Sequence, residues 1–251
     1  MMSRVLINCD LSQAELRVMA IMSGDVWMIS ALQEDAGDFF DYHFMPEAFP
    51  TEYAFYGDID NWKEKSPVTH KEARVQVKSV MYGLAFGRGA AAIGVEIGQS
   101  AAVAQRIINA LFEKAPEFKA WRGEVSLAAI DPSKRDLLVN PFGRRYQREV
   151  ITSRRQEAAV IREALSFLPQ STSSDICLAT AIRINDTLKR NGYRIFNVVH
   201  DALMVEGPED NADFIGRYVA AELRETGKQV MGDAVPFLAE YSIGNHWGEL
   251  A

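Results

Sequence analysis

Cysteine is almost missing from this chain: Cys9 and Cys177 are the only two, and they form no Cys-x-x-Cys spacing. That excludes a disulfide framework and a zinc ribbon, and it points to a reducing compartment, the cytoplasm. Long apolar runs are missing too. None approaches the roughly 18 residues of a membrane span, and the opening MMSRVLINCDLS lacks the apolar stretch of a signal peptide, so no membrane partner is expected. The Met1-Met2 start fits a natural reading frame. An excess of positive charge is also lacking. With 27 Lys and Arg against 34 Asp and Glu, the net charge is −7, which as a total counts against a nucleic-acid partner. Repeats, low-complexity tracts and linkers are absent, so any subdivision arises by insertion and not by tandem domains. What remains is ordinary globular composition, 48% hydrophobic and 24% charged over 251 residues. That is enough chain for one large domain or two small ones, and it should bury roughly 70% of its unfolded surface without disulfide or metal staples.

The charge is unevenly spread. Between Asp131 and Arg162, the cations Lys134, Arg135, Arg144, Arg145, Arg148, Arg154, Arg155 and Arg162 outnumber Asp131, Asp136, Glu149 and Glu157. A protein that grips a phosphate backbone needs a positive patch rather than a positive total. A solvated arginine-rich helix face is the alternative reading.

Arg4 to Asp10 reads as a buried strand, and a helix follows at once, with Ser12-Gln-Ala-Glu15 as a capping box. Residues 37–67 look irregular or made of short helices. Helices are predicted over Thr69 to Phe86, with Thr69 as cap and Gly87-Arg-Gly89 as stop, then Ala101 to Phe112 and Glu117 to Ile130. Leu137 to Tyr146 suggests a short strand and turn. Arg154 to Phe167 is helical, Pro169 interrupts, and a long helix from Thr172 to Arg190 ends at Asn191-Gly192. The apolar runs Tyr193 to Val199 and Ala202 to Val205 form a hairpin with His200-Asp201 at its tip. An amphipathic helix over Asp213 to Met231 and a strand over Val235 to Ile243 complete the chain.

Asp10 and Asp201 each fall at the end of a predicted strand. Facing one another, they would make an oxygen-ligand site for a pair of Mg²⁺ ions; singly, each reads as a helix cap or a turn residue. Arg74, Lys78 and Tyr82 recur at i, i+4 and i+8 with a drift of about 40° per step, so two cations and an aromatic ring share one helix face. Such a stripe can hold a triphosphate and stack on a sugar or base. Val75, Val77, Val80 and Met81 mark the same helix as largely buried, where cations are seldom idle. His43 and His70 read as packing or capping residues and Cys177 as a small buried hydrophobe. Gly87-x-Gly89 followed by Gly94 misses the dinucleotide-binding spacing.

Taken together, these residues resemble family A DNA polymerases, the DNA polymerase I family. Asp10-Leu-Ser-Gln-Ala-Glu-Leu-Arg17 is similar to the first palm motif, D-Y-S-Q-I-E-L-R. Arg74-x3-Lys78-x3-Tyr82-x3-Phe86-Gly87 is similar to the fingers-helix motif, and Val199-His-Asp201 to V-H-D-E. Phe142-Gly-Arg-Arg145, Gln170-Ser-Thr-Ser-Ser-Asp175 and Gly244-Asn-His-Trp247 match further landmarks in order, so the resemblance covers essentially the whole chain.

The resemblance implies an α/β (α+β) fold, a polymerase palm with an antiparallel sheet and an inserted helical fingers subdomain: palm over 1–35, fingers over 36–136, palm again over 137–251. It implies template-directed addition of dNTPs to a primer 3′-hydroxyl, with two Mg²⁺ ions, or Mn²⁺ in their stead, held by Asp10, Asp201 and the Leu11 carbonyl. Leu11, Ser12, Gln13, Glu15, Arg74, Lys78, Tyr82 and His200 would meet the dNTP. Among these, Lys78 would donate a proton to pyrophosphate, Glu15 would exclude a 2′-hydroxyl and Tyr82 would stack on the nucleotide. Phe86, Arg144, Arg145, Arg162, Gln170 and His200 would contact primer-template DNA.

The sequence departs from the family pattern at Ala202 for Glu, Phe86 for Tyr, Ser171 for Gly and Ser166 for Asn. The first departure removes an acidic neighbour of the metal site. Only nine residues precede Asp10, so thumb, proofreading exonuclease and the start of the palm are expected from a second polypeptide or a missing N-terminal region, as in a phage-type or split polymerase in the host cytoplasm. Without them, weak and distributive DNA binding is expected, as is a first strand with an exposed edge that invites pairing. The rival readings are an RNA-synthesising relative, against which Glu15 argues, and a non-catalytic DNA-binding subunit, which Ala202 keeps open.

Overall fold

The computed structural model describes residues 3–33, 37–147 and 150–250. Met1, Met2, Arg148 and Glu149, all used in the sequence reading, lie outside the described residues, as does the side chain of Arg135. In chain order the elements are β1 (Arg4–Ser12), α1 (Ala14–Ser23), α2 (Val26–Ala31), a π-helical turn (Phe39–Phe44), α3 (Met45–Ala48), α4 (Pro50–Tyr56), α5 (Ile59–Lys65) and α6 (Pro67–Ala85). There follow α7 (Ala90–Glu96), α8 (Ala101–Lys114), α9 (Pro116–Ile130), α10 (Arg154–Arg190), β2 (Arg194–Val199), β3 (Ala202–Pro208), α11 (Ala212–Met231) and β4 (Leu238–Gly244). This is the mixed α/β class with an antiparallel sheet that the sequence implies. Two compact units result, one of residues 1–19, 139–145 and 168–251, the other of 20–138 and 146–167. Among the described residues no helix is long and apolar enough to cross a membrane.

The first unit is built on the sheet, in the order β2-β3-β1-β4 with every neighbouring pair antiparallel. Side chains alternate along β1, so Val5, Ile7, Cys9 and Leu11 share the buried face. Each fully buried aliphatic side chain contributes about 1.5–3 kcal/mol. The helix α11 packs on β1 and β4 through Ile215, Val219 and Leu223. Gly216 allows that approach, since a Cβ there would stand 2.3 Å from the Tyr241 ring.

β1 is not an edge, contrary to expectation. The last strand returns to pair with it from Leu6 to Ser12 while β3 covers its other side. The edges are β2 and β4, so the pairing hazard foreseen for the first strand is absent.

Several local expectations are corrected. Pro169 does not interrupt: α10 runs through it as one helix. Proline removes a single ladder bond, and the buried Ala164, Leu165, Leu168, Ile176 and Cys177 hold the turns on either side. The capping box is absent, because β1 continues to Ser12 and the Gln13 carbonyl accepts the first helical amide, Arg17 N, at 3.1 Å. Leu137 to Tyr146 forms the expected turn, with Gly143 N donating to Asn140 O at 2.9 Å, but in place of a strand it has an isolated bridge between Val139 and Arg145, and β4 begins at Leu238, after the buried Val235 and Phe237.

In the second unit α6 starts at Pro67, where the missing amide is harmless. Thr69 therefore does not cap; its hydroxyl accepts Trp62 Nε1 at 2.9 Å. The stop is as foreseen. Gly87 has φ 72°, and Arg88 N donates to Gly83 O at 2.8 Å, closing the six-residue loop of a left-handed helix terminator. Val77, Val80 and Met81 are buried but Val75 is 52% exposed, because it lies about 200° around the helix from Val77.

Candidate active site

Asp10 ends the regular β1–β3 ladder opposite Ala202, and the next amide, Leu11 N, donates to the Asp201 carbonyl at 3.2 Å. Asp10 therefore stands where the β1–β3 ladder ends, two residues before the end of β1, beside Asp201 at the hairpin tip. The hairpin between β2 and β3 closes through His200 and Asp201 alone, since Val199 pairs with Ala202. His200 adopts φ 54° and Gln13 φ 55°, and these are the two non-glycine residues with positive φ among the described residues. Such conformers favour glycine, and they collect where surrounding structure over-determines the backbone. Here both flank the aspartate pair, one beyond the end of β1 and one at the hairpin tip.

The electrostatics describe an acidic site. Asp10 has its pKa pushed up to about 6, first by desolvation, then by the like charges of Asp201 and Glu240, against a lowering hydrogen bond from the Leu11 amide. Burial raises Asp201 as well, opposed by its own backbone amide and by His200. Glu15 is raised by burial and by Asp201, and is pulled back by a hydrogen bond from Gln170 and by His200. The fold thus gathers Asp10, Asp201, Glu15, His200 and Gln170 on one unit, with Leu11, Ser12 and Gln13 on the connecting backbone. Beneath the aspartates lies Cys177, fully buried, its thiol pushed up by desolvation, then by Asp201 and Asp10. Among the described residues no three His, Cys, Asp or Glu side chains already form a metal cluster.

Sequence reasoning missed Glu240. It is the β4 partner of Asp10, and only the strand register, invisible in one sequence, could have found it.

Arg144 and Arg145 belong to the same unit. The Arg144 guanidinium binds Asp175 with two hydrogen bonds, Nη2 to Oδ1 at 2.7 Å and Nε to Oδ2 at 3.0 Å. Asn140 ties the turn further: its Nδ2 donates to Asp175 Oδ2 at 2.8 Å and to Ser171 Oγ at 3.1 Å, while its Oδ1 accepts the amides of Phe142 and Arg144.

The second unit carries Arg74, Lys78, Tyr82, Phe86 and Arg162. The Tyr82 ring is stacked on Phe86 at 6.2 Å between centroids and tilted against Phe40 at 6.0 Å. Lys78 is exposed. Arg162 lies against Gly87, where an added Cβ would stand 2.8 Å from its Cγ. Arg74 contacts Asp38 and Asp41.

The first unit is thus a four-stranded antiparallel sheet carrying the carboxylates Asp10 and Asp201, and the second is helical. Comparison with known proteins makes the class specific. The family model described as DNA polymerase family A matches residues 2–249. The thermostable DNA polymerase I of Thermus aquaticus is 27% identical over 97% of this chain, and the DNA polymerase I of Chloroflexus aurantiacus 28% identical over 98%. The solved polymerase domain of Pol1 from M. smegmatis, in complex with DNA primer-template and dNTP, superposes with a TM-score of 0.74 at 26% identity, covering 98% of this chain and 40% of that one. This chain belongs to DNA polymerase family A. It spans about a quarter of the length of the curated relatives it matches, 27% and 24% of the two named.

Proposed function

We propose that this chain catalyses template-directed transfer of a deoxynucleotide to a primer 3′-hydroxyl, with residues 1–35 and 137–251 serving as palm and 36–136 as fingers. The observation that carries the reading is the pair Asp10 and Asp201, two repelling carboxylates brought together where the β1–β3 ladder ends beside the β2–β3 hairpin tip. Hard oxygen donors that repel one another fit Mg²⁺, or Mn²⁺ in its stead. Asp10, Asp201 and the Leu11 carbonyl would hold two ions, which when bound make the primer hydroxyl more acidic and neutralise charge on the triphosphate.

The chain's own residues supply the rest. Glu15, held by Gln170, stands beside the aspartates as a carboxylate that would repel and obstruct a ribose 2′-hydroxyl, which favours dNTPs over rNTPs. Arg74 and Lys78 offer cations to the triphosphate, and as the 3′-oxygen bonds to the α-phosphorus the Lys78 ammonium donates a proton to the leaving pyrophosphate. Tyr82 and Phe86 form a stacked aromatic surface for the nucleotide and the templating base. His200, Gln170, Arg144, Arg145 and Arg162 would contact primer and template. Thumb, exonuclease and the start of the palm would come from further polypeptide.

Primer extension with Mg²⁺, comparing dNTPs with rNTPs, tests the reading. Extension with dNTPs that Asp10→Ala and Asp201→Ala each abolish, with fold and DNA binding retained, supports it. Extension by either variant near the parent rate removes the assignment.

A further inference from the structure

Arg74 is gripped from one side. Its Nε lies 2.8 Å from Asp41 Oδ1 and its Nη2 donates to Asp38 Oδ2 at 3.0 Å. The guanidinium carbon sits 5.8 Å from the centre of the Phe40 ring. Three neighbours thus fix one long side chain. Nη1 has no partner among the described residues, and the side chain remains 34% exposed. One edge of the guanidinium is bound and, among the described residues, the other is not.

The grip comes from one short segment. Asp38 caps the π-helical turn Phe39–Phe44 through Oδ1, which accepts the amides of Phe40 and Asp41 at 3.0 Å each, leaving Oδ2 for Arg74. Asp41 is buried, and its Oδ1 has no aligned hydrogen bond. His70, one turn before Arg74 on α6 and also buried, has its Nε2 3.7 Å from that oxygen. A buried carboxylate persists only when paired. The facing guanidinium is that pair: burial and Asp38 raise the pKa of Asp41, while Arg74, then His70 and Lys63, lower it.

The segment has no evident task in the chemistry proposed above. What it does is remove rotamer freedom from Arg74 before any ligand arrives. An arginine that is already ordered loses little entropy when its free donors bind, so more of each hydrogen bond appears as affinity. Arg74 and Lys78, four residues apart on α6, share one face, so a guanidinium fixed beside Lys78 sets the spacing between two phosphate-binding cations.

Resting on the reading in which Arg74 meets the triphosphate, we propose that Asp38 and Asp41 are positioning residues for Arg74, holding its Nε and Nη2 edge so that the Nη1 edge is presented in order to a polyphosphate. The contrary device, in which the carboxylates compete with phosphate for the guanidinium, predicts the opposite sign and is separated by the same experiment.

The test is calorimetric titration of the purified chain with inorganic tripolyphosphate and with dATP. Arg74→Ala should weaken both by about tenfold, the scale of one charge-assisted contact. Asp38→Asn and Asp41→Asn should each weaken them by about three- to tenfold, with Asp41→Glu restoring part of the loss. Asp41→Asn placed on Arg74→Ala should cost nothing more, because the two act through one guanidinium. A purely structural defect would add to the Arg74 effect. Asp38 reaches solvent, so Asp38→Asn, with an unchanged melting temperature, keeps the test valid should Asp41→Asn fold poorly. Unchanged or tighter binding in the Asn variants beside a weakened Arg74→Ala overturns the positioning role while the Arg74 reading stands. An Arg74→Ala variant that binds like the parent overturns that reading, and this proposal with it.

Discussion

Asp10 and Glu240 are direct cross-strand partners on β1 and β4. Opposed residues on an antiparallel pair point to the same face with Cβ atoms about 4.5–5.5 Å apart, and like charges so placed destabilise the sheet. Across β1's other edge the partner of Asp10 is Ala202. Carboxylates therefore approach Asp10 from both sides, Glu240 from β4 and Asp201, the residue before Ala202, from the β2–β3 hairpin.

The first prediction follows from the Asp10 pKa of about 6 against an ordinary 3.8. A carboxyl whose pKa is raised by folding binds its proton more tightly in the fold, so stability is lost as pH rises from about 4 through about 6. With solvent screening of a partly exposed group the cost is about 1 kcal/mol. In EDTA, Asp10→Asn should melt a few degrees above the parent at pH 8 and level with it at pH 4, with a smaller gain for Glu240→Gln. Coincident melting curves at pH 8 would refute the repulsion.

Ala202→Glu restores a carboxylate on the face of Asp10. It should tighten Mn²⁺ binding, read by titration calorimetry or spin resonance, by about tenfold, since a cation gains one more charged oxygen ligand. Unaltered Mn²⁺ affinity would remove Ala202 from the metal surroundings.

In the proposed reading Glu15 selects the sugar, and a hydrogen bond from Gln170 favours its carboxylate form. Glu15→Ala should admit ribonucleotides, narrowing the dNTP preference by about 10²-fold, and Gln170→Ala should do so partially because it frees the carboxylate without removing it. Competition between dNTP and rNTP in primer extension measures the ratio. A Glu15→Ala enzyme as selective as the parent would show that the discriminating group lies elsewhere.

Arg144 holds the Asp175 carboxyl below its ordinary range through their two hydrogen bonds, with Asn140 assisting against burial. A depressed carboxylate contributes stability above its unfolded pKa and loses it as pH falls through the folded one. Asp175→Asn should therefore lower the melting temperature at pH 7, with the gap to the parent closing as pH falls below the ordinary carboxylate range. Amide exchange at Phe142 and Arg144 should quicken in the variant at pH 7. Equal exchange would mean that Asn140 alone holds the turn.

Much of the architecture was readable because it is written in local patterns. The Tyr193 to Val199 and Ala202 to Val205 runs meet at a two-residue tip, since a polar pair between apolar runs has no other short solution. The helix stop at Gly87 needs a positive φ that glycine takes without strain. Pro169 misled because helix breaking is a statistical tendency, whereas one lost ladder bond is offset by burial that no local window reveals. The capping box misled for a similar reason: strand pairing of Ser12 with Leu238 claims the residue that local preference assigns to a cap.

By itself, then, the sequence determined the order and kind of elements, the carboxylates on the first strand and at the hairpin tip, and the Arg74, Lys78, Tyr82 stripe, all of which depend on side-chain period and on neighbours close in the chain. The tertiary structure alone decided that β1 is an interior strand, that Glu240 and Ala202 flank Asp10, that Gln13 and His200 bear the strained backbone, and that Asp38 and Asp41 grip Arg74. Each of these is a register or a contact between segments far apart in the chain, and pairing of that kind follows from the packing of the whole core, which no periodicity encodes.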